Sequence, residues 1–147
     1  MAFVQKSLRI AAAAAAAIAA TAAPVIASAG VGYVAYPDLA GTWSATLSGF
    51  TGCGQSAMLV AINLNAAGTG TATLTTHGQC GDSVAPGQTF KVLTLNTNGT
   101  GTANLTCGAG CGWNLRLQVS PDRQIMNLID IDPVNPGNYI AGVAVHY

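Results

Sequence analysis

The sequence predicts an all-β fold: an eight-stranded antiparallel up-and-down barrel built from repeated β-hairpins, with a β-sandwich as the alternative. Three observations carry that prediction. Thr, Gly and Asn fill the polar positions and no Glu occurs in the 147 residues; Gly, Thr and Asn are poor helix formers, and Thr suits strands. A segment repeats 31 residues apart, with the shared core Leu-Asn-x-x-Gly-Thr-Gly-Thr-Ala-x-Leu-Thr at 64–75 and 95–106. Apolar residues alternate along the flanking runs, which is the period of a half-buried strand.

From the N-terminus, Lys6 and Arg9 precede a run over 10–29 without charge, the pattern of a basic n-region and an apolar h-region. Residues 10–20 are nearly all Ala, which partitions weakly into lipid, and Pro24 interrupts the remainder, so the run reads as a cleaved export signal of bacterial type rather than a span. Ala27-Ser28-Ala29 offers the small residues of a cleavage site, ahead of Ala20-Thr21-Ala22. The organisation expected is therefore a signal peptide over 1–29, an irregular segment over 30–40 and a barrel domain over 41–147. The mature chain from Gly30 keeps three basic residues against five Asp, and without surplus positive charge it has no nucleic-acid-binding surface to offer.

Strands are expected at about 42–48, 57–64, 70–76, 88–96, 101–106, 112–119, 124–130 and 138–146. Asn followed by a Gly-containing tight loop joins the strands of each repeat copy, because Gly supplies the positive φ such turns need. A third hairpin turns at Ser120-Pro121-Asp122-Arg123, where Pro presets φ and Ser and Asp cap the turn. In the fourth strand the alternation changes phase between Phe90/Val92 and Leu93/Leu95, which predicts a bulge. The inward set expected is Trp43, Leu47, Val60, Ile62, Leu74, Leu93, Leu105, Trp113, Leu115, Leu117 and Val143, with Trp43 and Trp113 as core anchors. Tight turns then lie at one end, and the loops 49–56, 77–87, 107–111 and 131–137 at the other.

That second end gathers Cys53, Cys80, Cys107 and Cys111. In an exported domain four cysteines normally form two disulfides. Three pairings exist; Cys107 with Cys111 closes a short loop across a strand connection, which leaves Cys53 for Cys80. A zinc site of four thiolates is disfavoured, because structural zinc takes pairs of closely spaced cysteines and the spacings here supply at most one. No metal or other cofactor is expected. His77, Asp82 and Asp132 fall at the same rim, where they read as solvated turn residues or as contacts for a partner. Ser56 and Ser83 lack a nucleophile elbow and a positioned base, and without Glu few groups remain for acid-base work, so an enzyme is not expected. The sequons Asn98-Gly99-Thr100 and Asn104-Leu105-Thr106 read as turn and strand residues of the repeat.

Gly41-Thr42-Trp43, opening the first strand after an irregular stretch, resembles the Gly-x-Trp that starts the first strand of lipocalins and avidins, the calycin group. The resemblance implies a small-ligand binding barrel open at the cysteine-bearing rim, and a basic residue of the last strand packed over the Trp; the last strand here offers His146. It implies no particular ligand-contacting residue. A rival comes from the C-terminus, where Tyr139, Ala141, Val143, Val145 and terminal Tyr147 alternate as in the closing strand of outer-membrane barrels; expected strands of about seven residues are short for spanning. Three roles thus stand: an exported interaction protein contacting a surface partner through its rim, a carrier of a small apolar ligand, and a small membrane barrel.

Overall fold

A computed structural model describes residues 32–52, 54–132 and 138–147. Strands β1 (Gly41–Thr51), β2 (Gly54–Leu64), β3 (Thr69–Gly78), β4 (Gly81–Leu95), β5 (Thr100–Gly108), β6 (Cys111–Val119), β7 (Ile125–Asp130) and β8 (Tyr139–His146) pair antiparallel in chain order, and β8 returns to β1 to close an up-and-down barrel. Closure leaves no strand edge unpaired. The expected leader and Cys53 lie outside the described residues.

The hairpins at the cysteine end are longer than the apolar alternation suggested. β1 and β2 stay in register from Gly41↔Leu64 to Thr51↔Gly54, β3 and β4 reach Gly78↔Gly81, and β5 and β6 reach Gly108↔Cys111. The expected loops 77–87 and 107–111 therefore shrink to turns at 79–80 and 109–110, and the strand pairing of 49–51 with 54–56 takes up most of the expected loop 49–56. Runs of Thr, Ser, Gln and Gly carry little hydrophobic alternation, yet extending the ladder satisfies their backbone groups at no extra cost.

Both repeat copies fold alike. Gly68 donates its N–H to Asn65 O and Gly99 to Asn96 O, each at 2.9 Å, and both glycines hold positive φ, 72° and 82°. The second glycine of each copy has another task. A Cβ on Gly70 would run into the Asn63 carbonyl oxygen, and one on Gly101 into that of Thr94, so these inward positions let the sheet bend tightly against its neighbour. In the third hairpin Arg123 takes the position of Gly68 and Gly99, with φ 61°, an uncommon conformation for a residue with a Cβ.

The N-terminal segment holds that arginine in place. Its Nη2 donates to Tyr33 O at 3.1 Å and its Nε lies 3.2 Å from Asp38 Oδ2. The segment expected to be irregular includes a short 3-10 helix, Tyr36–Leu39, which straps across the tight-turn end and buries Val34 and Leu39. Val34 N–H is tied to Thr97 O at 2.9 Å. Ala35 N–H donates to Asp38 at 2.8 Å; chiefly that bond, with help from Arg123, holds the Asp38 carboxyl below its ordinary pKa. Beneath the strap Trp43 Nε1 donates to Leu39 O at 2.9 Å, and the His146 ring stacks on the indole with centroids 4.4 Å apart.

Along the middle of the barrel the inward positions are apolar, with Trp43, Leu47, Val60, Ile62, Leu74, Leu105, Trp113, Leu115 and Leu117 buried as expected. Two of the expected inward residues face out instead. Leu93 is 49% exposed because the register of β4 against β5 shifts between Val92 and Thr94, the predicted bulge, which turns Leu93 outward. Val143 is 42% exposed, since β8 points Ile140, Gly142 and Ala144 inward. Gly142 sits where a Cβ would strike the Thr46 carbonyl oxygen and crowd Leu47, so the small residues of β8 must take the inner face and the bulkier set the outer one.

Gly70→Ala and Gly101→Ala should each cost on the order of 2 kcal/mol, the scale of overpacking a core. Denaturant unfolding checks this, with the exposed neighbour Thr71→Ala expected within about 0.5 kcal/mol of the parent.

Candidate functional site

The two ends of the barrel are built differently. At the tight-turn end, Leu39, Trp43 and His146 seal the interior. At the other, inward side chains become small or polar: Thr51 and Ser56 beside the β1–β2 turn, Thr76 on β3, Ala85 on β4, and Cys107 and Cys111 on β5 and β6. They leave a cup of about 310 Å³ floored by Met58, Leu74 and Trp113 and bordered by Asn138. The register shift of β4 against β3, between the Ala72 and Leu74 pairings, accommodates Pro86 and Gly87 and sets Ala85 against the partly open core. Pro86 needs no ladder partner at such a bulge.

The disulfide Cys107–Cys111 spans the turn between β5 and β6, with Cα atoms 5.1 Å apart, within the ordinary range for a disulfide. Cys80 is also disulfide-bonded, and its expected partner Cys53 lies outside the described residues. The staple fixes one wall of the cup. The β1–β2 wall is held by Thr51 Oγ1 and Ser56 Oγ, 2.9 Å apart, with Ser56 also donating to Gly54 O at 3.4 Å. Ser56 is therefore a satisfied rim residue, placed to brace a turn.

Trp113 is the unusual member. Only 5% of it is exposed, yet among the described residues its indole N–H has no hydrogen-bond partner, and neither has the buried side-chain oxygen of Asn138. Buried polar groups are paired in the great majority of cases, and leaving one unpaired costs about 1–3 kcal/mol. Trp43 shows the contrast: the same side chain at the sealed end gives its N–H to Leu39 O. Both residues line the cup, with these two atoms turned away from its open space.

The other residues singled out from sequence sit around this cup. His77 and Asp82 face each other across the β3–β4 hairpin and pair through Nδ1 and Oδ1, but both are exposed and border a groove of about 520 Å³ on the outer wall with Ala57, Leu59, Thr75 and Val84. Their polar groups satisfy one another, so this groove carries no unmet chemistry. Asp132 begins the β7–β8 connection, and its N–H donates to Asp130 Oδ1 at 3.0 Å. Ser83 lines the cup next to Asp82 in the chain, and no group of three or more His, Cys, Asp or Glu that could hold a metal occurs among the described residues. Sequence reasoning missed Met58, Ala85 and Asn138. Met58 was legible as an inward position of β2, whereas Asn138, following a Pro- and Asn-rich connection, resembles any turn residue.

Asp130 occupies the inward register position opposite Leu115, next along β7 from Leu128. Burial, reinforced by the Asp132 charge, raises its pKa although the Asp132 N–H opposes this. A raised carboxyl favours the protonated form in the folded state, so its contribution is full below the unfolded value near 3.9 and is lost as pH rises through the folded pKa. Asp130→Asn, which keeps the acceptor for Asp132, should raise the melting temperature at pH 7 by a few degrees. The gain should vanish near pH 3 when both pH series are followed by circular dichroism.

Compared with known proteins, the chain matches no family model, and no curated protein or solved structure shows significant similarity to it.

Proposed function

We propose that this chain is an exported, disulfide-stapled binding protein of calycin-like build that takes a small apolar ligand in the mouth of its barrel and performs no catalysis. The observation that carries the reading is the cup beneath the Cys107–Cys111 rim, apolar at its floor and free of charged side chains along its described lining. Ligand sites are concave, mostly apolar and supplied with a few convergent polar groups; at about 310 Å³ this one lies at the small end of their range. His146 stacked on Trp43 supports the calycin likeness, since it fills the place the resemblance reserves for a basic residue.

Life outside a membrane is supported by the direction of the side chains. A membrane barrel turns an apolar band to lipid and a polar lining inward. Here the core is apolar, while the outer wall carries Thr71, Thr73, Thr75, Thr102, Asn104, Asn114, Arg116 and Gln118 on β3, β5 and β6. Apolar side chains reach the outer wall at Leu59 and Val84 on β2 and β4, and gather most on the face of β7 and β8, where Ile125, Ile129, Tyr139, Val143 and Val145 are exposed. That face favours the second reading, a module contacting another protein at the cell surface.

Titration with N-phenyl-1-naphthylamine separates the two. The carrier reading expects a saturable change in tryptophan emission that is lost in Ala85→Phe, a replacement that fills the cup from β4, with the melting temperature of the variant reported alongside. A change that never saturates, or that survives a well-folded Ala85→Phe, would contradict it.

A further inference from the structure

The outer wall carries a second surface, independent of what the mouth takes. We infer that the face centred on β1 joins two copies of this chain into a two-fold dimer. Strand register sets the outward side chains in rows across neighbouring strands. The middle row runs Val143, Thr46, Leu59, Thr75, flanked by Val145, Ser44, Ala61 on one side and Ala141, Ser48, Ala57 on the other. Ile125 and Ile129 of β7 continue the two flanking rows past Val145 and Ala141. The face is therefore a ridge of branched side chains on β7 and β8, a low strip of Ser and Thr on β1, and alanines around Leu59 on β2. Past Leu59 opens the groove of about 520 Å³ between Thr46, Thr75 and Val84.

Shape, charge and area each fit a second copy. A two-fold axis lying along β1 seats β8 and β7 of each copy over β2 and β3 of the other, so that Val143 meets the partner's Leu59, Val145 meets the partner's Ala61, and the ridge enters the groove. A two-fold contact makes every such pair twice. The outward positions of β7, β8, β1, β2 and β3 carry no Asp, Glu, Lys or Arg, so two copies bring no like charges together. The face equally offers no charge for a foreign partner to recognise. Thr46 of the two copies meets across the axis, where each hydroxyl can donate or accept. Five strands about 4.8 Å apart and about eight residues long cover on the order of 500 Å². Two copies then bury about 1,000 Å², the size at which specific interfaces begin and one that suits a dimer of micromolar Kd. Contiguous apolar patches of several hundred Å² are rarely left bare on a monomer.

Sedimentation velocity of the purified, oxidised protein, over a concentration series crossing the micromolar range, tests this. The parent should pass from monomer to dimer. Val143→Lys and Leu59→Glu, both at exposed positions, should each weaken the dimer about tenfold or more, because each buries two unpaired charges in it, while circular dichroism keeps the parent's strand signal. Mixed in equal amounts, the two variants should form a heterodimer about tenfold or more tighter than either variant with itself, since one Lys then meets one Glu and the other half of the interface is unaltered. Leu93→Lys, at an exposed leucine outside the face, should leave the dimer within about threefold of the parent. A parent that stays monomeric throughout would overturn the inference, as would a dimer that both folded variants leave intact. Monomers that bind lipid vesicles through this face would overturn it in favour of a membrane surface. Should neither variant fold, Thr46→Cys is expected to give a disulfide-linked dimer on mild oxidation, and its remaining monomeric would overturn the two-fold placement.

Discussion

Closure of β8 onto β1 governs everything else in this molecule. Eight strands enclose a space only about as wide as the side chains that line it, so inward positions along its middle must be apolar, and where neighbouring backbones crowd together they must be small. The Trp43↔His146 and Leu47↔Gly142 pairings show both demands on one seam: a stacked pair of rings at the sealed end, and a glycine where β1 and β8 come too close for a Cβ. The glycines at 70 and 101 meet the same demand on the repeat, which explains why each copy uses two glycines, one on the turn and one on the bend.

A barrel of this width fills itself along its middle, with Phe90, Leu105, Leu115 and Met126 fully buried, so the ends are where it can differ. At one end a 3-10 helix and two rings complete the core and satisfy the Trp43 N–H. At the other the wall is made of Thr, Ser, Ala and a disulfide, all too small to complete the packing, and the Trp113 N–H has no partner among the described residues. The asymmetry between a sealed end and a cupped end of the same barrel is the structural fact on which the functional reading turns. The disulfide contributes here by fixing the rim, since a cup lined with small residues has little packing of its own to hold its shape.

Much of this was legible in the chain. The repeat, its turns, the β4 bulge and the closure into eight strands follow from turn chemistry and period-two patterning, both of which act over a few residues. The phase of β8 was not legible, because Tyr139, Val143 and Val145 on one face outweigh Ile140, Gly142 and Ala144 on the other. Only the approach of β1, a contact about a hundred residues away in sequence, decides which face must be small. The strands past Gly49, Thr76 and Cys107 were hidden for a related reason, as Thr-, Ser- and Gly-rich strand looks like loop when its neighbour is unknown. The cup was hidden most deeply. An open space at one end of a barrel is a property of packing, and Trp113 in sequence is indistinguishable from the Trp43 of the sealed end.

The claim that the barrel is sealed at one end and open to small apolar molecules at the other is met most directly by a crystal structure under xenon pressure, since xenon enters apolar space and needs no hydrogen bond. The account predicts xenon density in the mouth among Met58, Leu74, Ala85 and Trp113, and none around Trp43 and Leu39. Xenon confined to the outer wall, or lodged beneath the N-terminal strap with the mouth empty, would contradict it.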